Sequence, residues 1–151
     1  QRETLIAEVL EPFQAVQDRF KPYSYLADKE ARDLAAGKGF RRQLLDGSEG
    51  SLGTIGRGYS KARSTEPFLR HPDDSGQSRL LTKAEHARVK TVPEMLVQGL
   101  SETVSHELLG QGVVHCAFRA VGRLIGNCLH SISEQDKSAW EQKWFKTQSA
   151  A

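Results

Sequence analysis

The stretch from residue 40 to residue 78 constrains the fold most, because it can hold neither a long helix nor a long strand. Six glycines and two prolines interrupt it, and its apolar residues come in short runs such as Leu44-Leu45 and Phe68-Leu69. Glycine and proline weaken the interiors of regular elements and mark turns. We therefore predict short strands joined by turns in this part of the chain.

Cationic side chains concentrate in the same stretch. Residues 38 to 70 contain seven lysines and arginines and three carboxylates, whereas the whole chain of 151 residues has a formal net charge of only +2. Glycines and hydroxyl-bearing residues lie between these cations. Long cations, hydroxyls and accessible backbone amides are what phosphate contact needs. Two interpretations stay open from composition alone: a phosphate-binding surface or a solvated, mobile loop.

Helices are predicted on both sides of the glycine-rich stretch. Residues 24–36 are rich in helix formers. A second helix begins after Thr82, which stands at capping-box spacing from Glu85, and it ends near Pro93. Residues 113–130 carry apolar side chains at intervals of three and four, which indicates a helix with one broad apolar face. We expect that face to be buried.

Residues 131–151 are predicted to add a last amphipathic helix. Ser131 and Glu134 repeat the capping-box spacing, and Trp140 and Trp144 lie about one helical turn apart. A packing stripe is the favoured interpretation of these aromatic residues, and a binding platform is the alternative.

The two cysteines indicate a reducing compartment. Cys116 and Cys128 lie on one predicted helix with about 18 Å of rise between them, which forbids a disulfide. We expect two buried thiols and a cytoplasmic protein. No apolar run in the sequence approaches the roughly 18 residues that a membrane helix needs, so we expect no membrane partner.

Familiar catalytic and cofactor motifs are incomplete in this sequence. The glycine-lysine pair at 37 and 38 is followed by glycine rather than serine or threonine, and residues 56–58 lack the third glycine of a dinucleotide fingerprint. The five histidines show no metal-ligand spacing. His115 and Cys116 are neighbours on a predicted helix, where side chains point about 100° apart. We predict no catalytic residue and no metal site in this chain.

Two segments carry a family resemblance. Residues 79–93 read RLLTKAEHARVKTVP, and residues 110–113 read GQGV directly before the apolar helix. The first segment resembles the ninth conserved motif of the DNA cytosine-5 methyltransferases, and the second resembles the Gly-Asn-x-Val turn of their tenth motif, with Gln111 in place of asparagine. Residues 37–40 and 53–61 are similar to the beginning and the basic turn of that family's target recognition domain. The chain therefore looks like the C-terminal part of such an enzyme.

The resemblance implies an α+β fold without the catalytic core. Short strands and loops would form the recognition region, and the helices after it would pack on a Rossmann-like sheet outside this sequence. The implied organisation is a connector at 1–23, a target recognition region at 24–78, a ninth- and tenth-motif helical segment at 79–130, and a C-terminal helix and tail at 131–151. The family's catalytic tripeptides, Pro-Cys-Gln and Glu-Asn-Val, do not occur in the sequence.

The resemblance also implies a division of labour. In the whole enzyme a cytosine is flipped out of the duplex and methylated from S-adenosylmethionine; this chain would recognise the DNA target, with no activity and no cofactor of its own. The implied DNA contacts are Lys38, Arg41, Thr54, Arg57, Tyr59, Lys61 and Arg63. The implied supports of the recognition region are Thr82, Glu85 and Arg88. The implied border of the S-adenosylmethionine pocket is Gly110, Gln111, Gly112 and Val113.

The expected partners follow from the same resemblance. They are double-stranded DNA and a methyltransferase catalytic domain or subunit, as in a restriction-modification system of bacterial or phage origin. Self-association through the apolar helix face is a further expectation. The alternative function is a non-catalytic DNA-binding or regulatory module that has this shape without a catalytic partner.

Overall fold

The computed structural model describes residues 5–39, 41–130 and 137. Within the chain, residues Gln1–Val114 form one compact unit and residues His115–Ala151 form a second. The α-helices are α1 (Phe13–Val16), α2 (Ser24–Ala35), α3 (Lys83–Val89), α4 (Glu102–Gln111) and α5 (His115–His130). The strands are β1 (Gln43–Leu45), β2 (Pro67–Arg70) and β3 (Ser78–Arg79). Single 3-10 turns cover Ile6–Val9, Gln17–Arg19, Tyr59–Lys61 and Glu94–Leu96.

The three strands form one small mixed sheet. β1 pairs with β2 in parallel, with Leu44 opposite Phe68, and β2 pairs antiparallel with β3, with Leu69 opposite Arg79. Parallel neighbours need a long crossover, and here the glycine-rich residues 46–66 supply it. The prediction of an α+β fold with short strands and turns in this region is confirmed.

The first unit has a thin hydrophobic core. Its main cluster joins the crossover to the sheet and to the residues before α3, and consists of Ile6, Leu45, Ile55, Tyr59, Leu69 and Leu81. A smaller cluster of Ala87, Val97 and Leu109 lies between α3 and α4. Burial of apolar surface is the main stabilising contribution in a domain of this kind, so the crossover is held by the core at Ile55 and Tyr59.

α3 begins with the predicted capping box. Thr82 Oγ1 accepts from the Glu85 N–H at 3.2 Å, and Glu85 Oε2 accepts from the Thr82 N–H at 2.8 Å. The helix ends at Val89, and Thr91 then takes a left-handed conformation with φ 54° before Pro93. The prediction of a short, capped helix at this position is confirmed.

α4 extends further along the chain than the sequence predicted. Ser101 caps it by accepting from the Val104 N–H at 3.3 Å, and the helix continues through Gly110 to Gln111. The Gly112 N–H still bonds to the Leu108 carbonyl at 3.0 Å. The expectation of a turn at Gly110 was therefore wrong: the helix ends at Gln111, and Gly112 is its C-cap.

The second unit contains α5, which spans nearly the predicted range. Its apolar face is exposed, with Phe118, Val121, Leu124, Ile125 and Leu129 between 51% and 64% accessible. Cys116 and Cys128 are exposed. The expected burial of the thiols and of the apolar face was wrong for this chain by itself, because no residue of α5 is buried.

The predicted last helix, with Trp140 and Trp144, lies outside the residues that the structure describes. The structure divides the chain after residue 114, inside the predicted 79–130 segment. The functional boundaries at residues 23, 78 and 130 stay predictions. Across residues 5–39, 41–130 and 137, no helix is long and apolar enough to cross a membrane.

Candidate nucleic-acid interface

A basic cavity lies between the Tyr59–Lys61 turn and α4. Its volume is about 350 Å³. Three predicted DNA contacts, Arg57, Lys61 and Arg63, line it together with Gly58. The hydroxyl-bearing residues Ser60 and Thr103 and the carboxylate of Glu107 complete the lining. The structure thus brings together the central cations of the predicted set.

The guanidinium of Arg63 packs closely over the backbone of the turn. A Cβ at Gly58 would lie 2.9 Å from Cζ of Arg63, so a side chain there would shift that guanidinium. Ala62 ends the turn in a left-handed conformation with φ 49°, and its carbonyl accepts from the Tyr25 hydroxyl on α2 at 2.8 Å. The end of the turn is therefore fixed by its own backbone conformation and by a side chain of α2.

α4 approaches the turn unusually closely. A Cβ at Gly110 would lie 2.6 Å from the carbonyl carbon of Gly56 and 2.7 Å from the Arg57 nitrogen, both of them backbone atoms. Only a glycine avoids this overlap without moving the helix or the crossover. The same approach allows Glu107, one turn earlier on α4, to pair with Arg57 at 2.6 Å.

Tyr59 lies in the core and not on the surface, which corrects its assignment as a DNA contact. Its side chain is fully buried. Its hydroxyl donates to the Pro67 carbonyl at 2.8 Å and accepts from the Leu81 N–H at 2.9 Å. Burial raises the pKa of the phenol above its usual range. Tyr59 instead fixes the basic turn to β2 and to the segment before α3.

Two buried histidines pack against Tyr59. The ring centroids of His86 and His106 lie 5.6 Å and 5.0 Å from that of Tyr59, and their Nδ1 atoms are 3.0 Å apart. One Nδ1 therefore donates and the other accepts. Burial, aided by the neighbouring His106, lowers the pKa of His86 to about 3. His86 is thus neutral at physiological pH, as its packing in the core requires.

His106 also contacts a charged group, which in turn contacts a second one. His106 Nε2 lies 3.4 Å from Glu102 Oε2, and Glu102 Oε1 lies 3.3 Å from Arg19. The contacts from His106 and Arg19 lower the pKa of Glu102 to about 2. This chain of polar contacts joins α3, α4 and the 3-10 turn at Gln17–Arg19 below the basic turn.

Glu85 supports the region more extensively than the capping box implied. It forms a buried, bidentate pair with Arg79, at 2.7 Å and 2.8 Å, and Oε1 also accepts from the Glu11 N–H at 2.8 Å. The side chains of Arg79 and Glu85 are 3% and 0% exposed. This pair ties β3, α3 and the N-terminal segment together.

Arg88 also makes a structural bridge. Its guanidinium pairs with Glu94 at 2.7 Å and 3.1 Å, and it donates to the Val9 carbonyl at 3.0 Å. The residues of the implied support set, Thr82, Glu85 and Arg88, therefore all make contacts that hold α3 in place. Their support of a recognition region stays a prediction.

The remaining predicted contacts lie outside the basic cavity. Lys38 and Arg41 are exposed, and Lys38 pairs with Asp33 at 3.6 Å. Thr54 lines a different cavity of about 570 Å³, which also contacts Arg88. These three residues are not brought together with the cations of the Arg57 cavity.

The residues expected to border a methyl-donor pocket lie at the end of α4 and directly after it. Gly110 and Gln111 belong to α4, and Gln111 Nε2 lies 3.5 Å from Glu107. Gly112 ends the helix, and Val113 is 52% exposed. Their role in a complete enzyme stays a prediction.

Sequence reasoning missed several groups that shape this region. The partners of Arg79, His86, His106 and Glu107 could not be inferred from the sequence, because these contacts are tertiary. The signals in the sequence were the basic turn at Arg57 to Arg63 and the capping box of Thr82 and Glu85.

No protein-family model and no curated protein matches the sequence. Among solved structures, the chain is similar to the Dnmt2 methyltransferase from S. pombe, with a TM-score of 0.67 and 18% sequence identity. The similarity covers 86% of this chain and 44% of that one. The chain therefore has the fold of part of that methyltransferase, and it spans less than half the length of the protein it matches.

Proposed function

We propose that this chain is the DNA target recognition region and C-terminal part of a cytosine-5 DNA methyltransferase, inactive without a catalytic partner. The observation that carries the proposal is the similarity of its fold to part of a methyltransferase over 86% of the chain. The motif-like segments at 79–93 and 110–113 lie within this fold and agree with the same family. The missing catalytic tripeptides then require a second polypeptide or domain for chemistry.

The basic cavity supports the DNA-binding part of the proposal. Arg57, Lys61 and Arg63 present three cations around one cavity, and the nearby hydroxyls suit contact with phosphate oxygens. Phosphate contacts of this kind position a protein on the duplex but do not read its sequence. We assign to this cavity the positioning of the backbone. Lys38, Arg41 and Thr54 are proposed as further contacts outside the cavity.

The methyl donor belongs to the complete enzyme. In this chain Gly110 is explained by its close packing on Gly56, and Gln111 lies beside Glu107. Residues 110–113 therefore do not form a cradle for S-adenosylmethionine by themselves, and we assign them no chemical step. In the complete enzyme the bound donor supplies the methyl group.

The test is complementation of methyl transfer. Labelled S-adenosylmethionine and mixed-sequence duplex DNA are incubated with this chain alone, with a methyltransferase catalytic domain lacking its C-terminal part, and with both. Activity only in the mixture supports the proposal. Failure in the mixture, together with salt-sensitive DNA binding by the chain alone, favours the alternative of a non-catalytic DNA-binding or regulatory module.

Binding is measured in parallel by fluorescence anisotropy of labelled duplexes at several salt concentrations. We expect Lys61→Gln to reduce the slope of log affinity against log salt by about one, since one phosphate contact is lost. Lys21→Gln, which removes an exposed lysine outside the cavity, is the matched control. An RNA duplex in the same assay tests the choice of DNA, because both polymers present phosphodiesters.

A further inference from the structure

One wall of the basic cavity is acidic. Glu107 on α4 reaches Arg57 with a distance of 2.6 Å between Oε1 and Nη2. Lys61, Arg63 and Thr103 also line the space. A site that binds phosphate through Arg57 therefore already contains a carboxylate in contact with the same guanidinium.

A carboxylate and a phosphate make the same kind of contact with arginine. Both offer two oxygens to the planar fork of N–H donors. A phosphate oxygen that accepts the same Nη2 hydrogen as Glu107 displaces that carboxylate, and the two anions also repel each other at this separation. Glu107 and a backbone phosphate thus compete for Arg57.

The Arg57–Glu107 pair has the properties of a contact that can be exchanged. The side chains of Arg57 and Glu107 are 71% and 39% exposed. Exposed ion pairs contribute little stability and break readily. Glu107 also has Gln111 Nε2 within 3.5 Å on its own helix, which offers it a partner when Arg57 leaves. The buried Arg79–Glu85 pair has no such freedom.

The position of Glu107 is nevertheless fixed by the fold. Ser101 caps the start of α4, and Gly110 allows the end of the helix to lie directly on Gly56 and Arg57. The backbone of Glu107 is therefore placed beside the cavity by the packing of α4.

We propose that Glu107 is an internal competitor for the phosphodiester that Arg57 binds, and that it sets the affinity of the basic cavity for a DNA backbone. This inference rests on the proposed function, because it assumes that the cavity binds DNA. Its consequence is that contact with the duplex exchanges the Arg57–Glu107 pair for an Arg57–phosphate pair. The basic cavity then binds a DNA backbone only weakly by itself, and stable binding of the duplex needs contacts elsewhere on the protein.

The test compares equilibrium binding of one labelled DNA duplex by four forms of the full chain: wild type, Glu107→Gln, Arg57→Gln and the double variant. Glu107→Gln is expected to bind about two- to fivefold more tightly, in line with the strength of an exposed ion pair. Asp73→Asn makes the same charge change at an exposed site outside the cavity, and it is expected to change the affinity by less than about 1.5-fold. In the Arg57→Gln background the gain from Glu107→Gln is expected to fall to the level of this control. Circular dichroism checks that every variant is folded.

The outcomes separate this inference from the proposed function. Salt-sensitive binding by wild type with no gain from Glu107→Gln overturns the competitor and leaves the DNA-binding function standing. A gain that persists unchanged without Arg57 also overturns it, since the effect then comes from net charge. Failure of every folded variant to bind duplex DNA overturns both.

Discussion

Replacing Glu85 with glutamine should destabilise the first unit severely. Each carboxylate oxygen of Glu85 accepts two hydrogen bonds, one from Arg79 and one from the backbone N–H of Glu11 or Thr82. Glutamine has nearly the same shape but keeps only one accepting oxygen. Two of the four donors therefore lose their acceptor, and the guanidinium of Arg79 stays buried without a counter-charge.

The expected magnitude follows from this burial. Removing one partner of a buried ion pair lowers the free energy of unfolding by about 3–5 kcal/mol, because the remaining charge is uncompensated. A typical domain has only about 5–15 kcal/mol in total. Glu85→Gln should therefore leave the protein folded only marginally at room temperature.

The matched control is Glu94→Gln. Glu94 also pairs with an arginine, Arg88, through two contacts, but its side chain is 49% exposed. Breaking an exposed pair lowers the free energy of unfolding by about 0–1 kcal/mol. Both variants are compared with wild type by urea-induced unfolding, followed by far-UV circular dichroism. A loss for Glu85→Gln no larger than that for Glu94→Gln would refute the reasoning from burial.

Two further predictions concern packing and pH. Gly110→Ala should lower the free energy of unfolding by about 1–3 kcal/mol, because its Cβ overlaps backbone atoms of Gly56 and Arg57. Gly122→Ala, in α5, is the control: its Cβ meets nothing within 4 Å, so urea unfolding should show no loss. Folding lowers the pKa of His86 from its ordinary value of 6.5 to about 3. As the pH falls below 6.5, the imidazole therefore takes up a proton in the unfolded chain but not in the folded one. The free energy of unfolding should decrease by about 2 kcal/mol between pH 7 and pH 5. Urea unfolding at both pH values should show this loss in wild type and a smaller one in His86→Gln; equal losses in the two proteins would contradict the assignment.

Local chemistry decided which parts of the fold could be predicted. The capping box of Thr82 and Glu85 lies within four residues, so spacing alone identified the start of α3. The short strands and turns also followed from composition, because glycines and prolines exclude longer elements. The grouping of Arg57, Lys61 and Arg63 was predictable because a single tight turn carries all three.

Tertiary contacts decided the parts that sequence reasoning missed. A glycine near the end of a helix usually marks a stop, but Gly110 stays helical since it packs on Gly56. Tyr59 stands among basic and hydroxyl residues, which suggested a surface position, yet its hydroxyl bonds to Pro67 and Leu81. His86 and His106 are 20 residues apart, and no motif links them.

The parallel pairing of β1 with β2 also determines the order in which the first unit can fold. The two strands meet only after residues 46–66 close into a loop, and loop closure costs conformational entropy before the strands stabilise each other. The capping box of α3 closes over only four residues and forms on a much shorter timescale, although a helix of seven residues gains its stability from tertiary partners such as Arg79. The glycine-rich crossover is therefore among the last segments to become ordered during folding, so the cations of the basic turn reach their final arrangement only when the sheet does.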